Sequence, residues 1–153
     1  MKRAISIFSV AVFAAFGAAG HAQATDADPA LDEFILDASE INLEDFLWVK
    51  RPIVVFAQTP ADPAYQRQIG LLTQRLDVLA ERDVVIITDT DPSANSALRE
   101  QLRPRGFMLV LIGKDGGVKL RKPLPWDVRE ISRVIDKMPL RQQELRERRP
   151  LEP

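Results

Sequence analysis

Phe107 to Ile112 is an unbroken apolar run, followed by Gly113-Lys114-Asp115-Gly116-Gly117 and then by Val118 and Leu120 alternating with Lys119 and Arg121. The apolar run reads as a strand buried on both faces, and the alternation after it as a strand with one wet face. Asp-Gly-Gly between them is a hairpin signal, because glycine takes positive φ without the steric cost that a Cβ brings. A central strand that turns back into an edge strand closes one side of a sheet. The rest of the chain must supply the other strands and the helices that cover them. Gly113, Asp115, Gly116 and Gly117 are therefore assigned to the turn. Lys114 does not belong to a phosphate-binding loop, since the glycines follow it and no helix follows them.

Two further strands precede the hairpin. Ile53 to Ala57, introduced by Arg51-Pro52, is β-branched and of strand length, and Asp83 to Asp89 (DVVIITD) is of the same buried type. Between them Asp62-Pro63 is a cap and first-turn pair, and Tyr65, Ile69, Leu72, Leu76 and Leu79 line one face of a continuous helix of four turns or more. Asp91-Pro92 predicts the start of a second helix, carrying Leu98 and Leu102 and ending at Arg103-Pro104. Asp127 and Glu130 open a third, with Val128, Ile131, Ile135 and Met138 on its buried side. The order is β-α-β-α-β-β-α. It predicts an α/β domain over 51–140 with a mixed four-stranded sheet and helices on both faces, the element order of a thioredoxin-like fold.

The ends read differently. Met1-Lys2-Arg3, the apolar stretch from Ile5 to Ala19 and Ala22-Gln23-Ala24 have the form of a signal peptide over 1–24, cleaved before Thr25. No second apolar segment follows, so a periplasmic or secreted protein without a membrane span is expected. Residues 25–50 are an acidic arm anchored by Phe34, Ile35, Leu36 and then Phe46, Leu47 and Trp48. Residues 141–153 are a basic tail in which Arg141, Arg146, Arg148 and Arg149 alternate with Glu144, Glu147 and Glu152; a short, solvated, fraying helix is expected.

Composition excludes more chemistry than it suggests. There is no cysteine, and the single histidine, His21, lies in the expected signal peptide. The usual zinc sites, Ser-His-Asp triads, thiol nucleophiles and histidine general bases are thereby ruled out of the mature chain. With 21 basic and 22 acidic side chains the balance points to no nucleic-acid partner. No cofactor and no metal are expected. Asp89-Thr90-Asp91 has the spacing to hold Mg²⁺ or Ca²⁺, but a capping role for Asp91 weighs against it.

Trp48 to Arg51-Pro52 with Phe56-Ala57, Asp62-Pro63, Glu81-Arg82-Asp83, Leu111 to Lys119, and Ile135-Asp136 with Met138-Pro139 and Arg141 resemble a domain-of-unknown-function family of bacterial secreted proteins. The same residues resemble the repeated domain of animal extracellular matrix proteins of the sushi-repeat and coiled-coil-domain type. The resemblance spans roughly Leu43 to Glu144 and implies a thioredoxin-like fold, distantly peroxiredoxin-like, with no settled activity. Such folds carry their reactive cysteine in the loop after the first strand, where this chain has Gln58 to Tyr65 and no thiol. Thiol-disulfide exchange and cysteine peroxidase chemistry are excluded.

The strand ends at Ala57 and Asp89 and the start of the hairpin strand are expected on one edge of the sheet. That brings Thr59, Asp62, Tyr65, Asp89 and Asp91 toward Arg103 and Arg105 as a ligand-binding concavity. The favoured function is a non-catalytic module binding an extracytoplasmic protein or peptide. The alternative is a cysteine-independent hydrolytic enzyme built on Asp62, Asp89, Asp91, Tyr65 and Lys114.

Overall fold

The computed structural model describes residues 34–148. The expected signal peptide, the acidic residues before Phe34 and the tail from Arg149 lie outside the described residues. The strands are β1 (Ile35–Asp37), β2 (Arg51–Phe56), β3 (Val84–Asp89), β4 (Met108–Ile112) and β5 (Val118–Lys122). They form one mixed sheet in the order β1-β3-β2-β4-β5. β2 and β3 are parallel, with Arg51 opposite Val84 and Phe56 opposite Asp89. β4 runs antiparallel to β2, and β5 antiparallel to β4. The α/β class and the mixed sheet are as expected.

The sheet has five strands rather than four. The extra one, β1, comes from the segment read as an acidic arm and pairs in parallel with β3, Ile35 opposite Ile86. Three residues, the last of them an aspartate, carry too little alternation to be recognised as a strand.

Alternation along the strands separates two cores. Ile53, Val55, Val84, Ile86, Leu109 and Leu111 face one way, against α1 (Pro63–Thr73), α2 (Leu76–Ala80) and α4 (Val128–Asp136), through Leu72, Leu79, Val128, Ile131 and Ile135. Val54, Phe56, Ile87, Val110 and Ile112 face the other way, against α3 (Ala97–Leu102) through Leu98 and Leu102. β4 is buried on both faces, as its unbroken apolar run predicts.

Three helical expectations are corrected. The single helix after Asp62 is two, because Arg75 leaves helical backbone (φ −137°, ψ 39°). The Thr73 hydroxyl donates back to the Ile69 and Gly70 carbonyls at 3.0 and 3.3 Å, which loosens the last turn of α1. Asp91 does not open α3. It caps a 3-10 turn over Pro92–Ala94, and Ser96, whose Oγ accepts from the Arg99 amide at 3.2 Å, caps the helix. Finally, the expected solvated tail begins inside α5 (Pro139–Glu147), where Arg141 is only 4% exposed.

The hairpin turn is closed by Gly113 N–H to Gly117 O at 2.9 Å and Gly116 N–H to Gly113 O at 3.0 Å. Gly116 holds φ +77°, and a Cβ there would fall 2.9 Å from Leu47 Cδ2. Gly117 has ordinary φ, and its added Cβ would meet only the Lys119 and Asp115 side chains at 3.3 Å or more. Gly116→Val is therefore expected to cost about 1–3 kcal/mol. Gly117→Val should stay within roughly 0.5 kcal/mol of wild type, a surface-like effect. Chemical denaturation of both variants checks the assignment.

Candidate functional site at the Trp48 end of the sheet

The two ends of the sheet are built differently. At the end where β2 and β3 finish, the expected polar residues lie on neighbouring segments, since Phe56 pairs with Asp89 on one side and Met108 on the other. Their side chains, however, are engaged in local structure. Asp62 caps α1, accepting from the Ala64 and Tyr65 amides at 2.8 and 3.4 Å. Thr59 Oγ accepts from the Ala61 amide at 2.8 Å and so shapes its own turn. Asp91 accepts from the Ser93 amide and hydroxyl at 2.9 and 2.6 Å, which hold its carboxyl below the usual range.

Asp89 is buried and tied to Arg99 Nε at 2.7 Å and to the Ser96 hydroxyl at 2.5 Å. Arg99 also donates to the Ala57 and Asp89 carbonyls at 2.7 and 3.1 Å and stacks over Phe56. Tyr65 packs against the core; burial raises its phenol, the Thr88 hydroxyl opposes that, and Asp37 adds to it. Arg103 ends α3 at φ +48°, and Arg105 is exposed. The cavity here, lined by Asp37, Asp89, Asp91 and Ser96 among others, measures only about 50 Å³. Among the described residues no cluster of three or more acidic side chains is arranged to hold a metal ion. Lys114, included in the hydrolytic alternative, lies at the opposite end of the sheet beside Asp83, so the five residues of that constellation are not brought together.

The opposite end gathers residues that the expected binding concavity does not include. Arg51 begins β2, Asp83 precedes β3 and Lys114 follows β4, and the strand directions place all three side by side. Arg51 is completely buried. It donates to the Arg82 carbonyl at 2.8 Å and to Glu144 of α5 at 2.9 Å. Lys114 Nζ reaches Asp83 at 2.8 Å and the same Glu144 oxygen at 2.9 Å. Arg141 donates to the other Glu144 oxygen at 3.2 Å, and Arg82 forms a two-pronged pair with Asp136 at 2.9 and 2.8 Å. Burial raises the Glu144 carboxyl, but hydrogen bonds from Lys114, Arg51 and Arg141 outweigh it and hold it at about 2. This network clamps α5 to the sheet.

Against the network lies a groove of about 320 Å³, lined mostly by apolar atoms of Trp48, Met138, Pro139 and Leu140 together with Arg51, Lys114 and Lys119. Trp48 is 67% exposed and stands between exposed Leu47 and Val49. Its backbone sits at φ +64°, a left-handed conformation that bulky residues rarely adopt, and its N–H donates to the Lys114 carbonyl at 2.7 Å. Strain of that kind, held in place by a tight backbone bond, gathers at ligand clamps and working surfaces. Gly113 lines the groove too, and a Cβ there would fall 2.5 Å from Asp115 Oδ1 and 2.6 Å from Lys119 Cε.

The sequence does hold a signal for this site. Arg51, Asp83 and Lys114 flank strands, and the parallel β2-β3 crossover with an antiparallel β4 puts those flanks together. What cannot be read without the fold is that Glu144 and Arg141, a tail by composition, complete the network.

Comparison with known proteins agrees with the fold. Coiled-coil domain-containing protein 80 of Danio rerio is 32% identical over 138 residues, and the chain spans about 16% of that protein's length. A reduced 2-Cys peroxiredoxin of Plasmodium vivax superposes with a TM-score of 0.53 at 18% identity, over 69% of this chain and 85% of its own. A chloroplastic thioredoxin z superposes with a TM-score of 0.50 at 23% identity, over 67% of this chain and 92% of its own. At such identity the likeness is one of fold, and this chain has no cysteine. Residues 42–144 match the family described as "Domain of unknown function (DUF4174)", and the chain belongs to that family.

Proposed function

We propose that this chain is an exported, non-catalytic binding module that uses a thioredoxin-like fold without its thiol chemistry. It takes an extracytoplasmic protein or peptide in the groove beside Trp48. The observation that carries this reading is Trp48 itself: a large, exposed aromatic held at φ +64° that lines a mostly apolar groove together with Arg51, Lys114 and Lys119. Aromatic anchors of this kind dominate binding energy where they seat on a partner. Export is supported by the basic-apolar-small pattern of Met1 to Ala24. Among the described residues no helix is long and apolar enough to cross a membrane.

The test is a panel of peptides selected from a random display library against the mature chain. Trp48→Ala should weaken the selected peptides by roughly tenfold or more. The double variant Thr59→Ala/Arg105→Ala, at the other end of the sheet, should leave them unchanged. The opposite pattern places binding at the strand ends after Ala57 and Asp89.

A further inference from the structure

The Trp48 end of the sheet has more hydrogen-bond donors than acceptors. A lysine ammonium carries three N–H donors, and Lys114 spends them on Asp83 and Glu144 alone, although its side chain is only 11% exposed. The Nε of the fully buried Arg51 has no acceptor, nor has the Nε of Arg141 within hydrogen-bond distance. Charge runs the same way. Arg51, Lys114, Lys119, Arg141 and Arg148 meet Asp83, Asp115, Glu144 and Asp136, and Asp136 is shared with Arg82. Lys119 has Asp115 as its ion-pair partner at 2.7 Å, both partly exposed, a pair weak enough to be exchanged for a ligand. An excess of buried donors beside an apolar lining calls for an anion attached to an apolar group.

Resting on the reading of the groove as a binding surface, we propose that its occupant is the C-terminal end of a peptide. The free carboxylate meets Lys114 and Lys119, and the last side chain, aliphatic or aromatic, lies against Trp48 and Leu140. A cavity of about 320 Å³ suits a chain end better than a long segment. In a terminal residue the carboxylate and the apolar side chain share one Cα, which matches cations and apolar atoms lining the same short groove. An internal Asp or Glu needs a second residue to supply the apolar group.

Titration calorimetry on the mature chain separates the possibilities. The probes are acetyl-Ala-Ala-Leu as free acid, the same peptide as C-terminal amide, acetyl-Ala-Glu-Leu amide, and 4-methylpentanoate. The free acid is expected to bind, more weakly as salt rises, and to lose roughly tenfold or more on amidation, the worth of a charge-assisted hydrogen bond. Trp48→Ala and Lys119→Gln should each weaken the acid. Equal binding of acid and amide overturns the carboxylate, and equal binding of the Glu-containing amide overturns the chain end. Equal binding of 4-methylpentanoate replaces the peptide by a small organic acid. If none of the probes binds while display-selected peptides still depend on Trp48, the chain-end assignment falls and the groove reading stands. If the selected peptides ignore Trp48 as well, both fall. The acid–amide comparison is made on wild-type protein, so it does not depend on any variant folding.

Discussion

Glu144→Gln is expected to remove about 3–5 kcal/mol of unfolding free energy at neutral pH, the range seen when one partner of a buried ion pair is lost. Glu144 is the shared acceptor of Arg51, Lys114 and Arg141 at 2.9, 2.9 and 3.2 Å. Without its charge Arg51, wholly buried, keeps Asp83 only at 3.9 Å, and Arg141 keeps Asp136 only at 3.7 Å. The sign of the pH dependence follows. The Glu144 carboxyl titrates at about 2 in the folded protein against an ordinary 4.5. A depressed folded value means stability that is fully present above 4.5 and is lost as pH falls through 4.5 toward 2. Urea titrations across that range should show the gap between wild type and Glu144→Gln narrowing as pH drops. A gap that stays constant, or a neutral substitution, contradicts the clamp.

Asp89→Ala gives the second large effect, about 3–5 kcal/mol of destabilisation. Arg99, held by Asp89 at 2.7 Å, would be left with the Ala57 and Asp89 carbonyls as acceptors, and Ser96 would lose its partner. Asp91→Ala, which only uncaps a 3-10 turn, should cost about 0.5–2 kcal/mol. The contrast separates the two readings of Asp-Thr-Asp. Residues kept for ligand or metal binding commonly stabilise a fold when neutralised, because function was retained at the expense of stability. A rise in melting temperature for Asp89→Ala would favour the ligand site, and a large fall favours a structural pair.

These two expectations show what sequence reveals and what it hides. The hairpin from Phe107 to Lys122, the βα units around Ile53 and Val84, and the helix from Val128 were legible because apolar period and turn chemistry agree there. β1 was not, being three residues long and dependent on pairing with β3 and on packing of Ile35 and Leu36 against the two cores. The break at Arg75 lies between Leu72 and Leu76, where apolar spacing continues across two helices that bury the same face. Topology placed Thr59, Asp62, Asp89 and Arg105 on segments at one edge, as expected, but topology does not tell whether an aspartate caps or binds. Capping is a property of side-chain rotamers, which spacing leaves open. At the other edge the same limit worked in reverse. Arg51 and Glu144 are separated by 93 positions in the chain, and no local pattern marks them as partners.

Backbone amide shift mapping of the mature chain with a display-selected peptide tests most directly which end of the sheet is the working surface. The perturbed amides are expected to gather around Trp48, Lys114, Lys119 and Leu140, while those of Thr59, Asp91 and Arg105 stay in place. Perturbations gathered at Thr59, Asp91 and Arg105, with Trp48 unmoved, would contradict it.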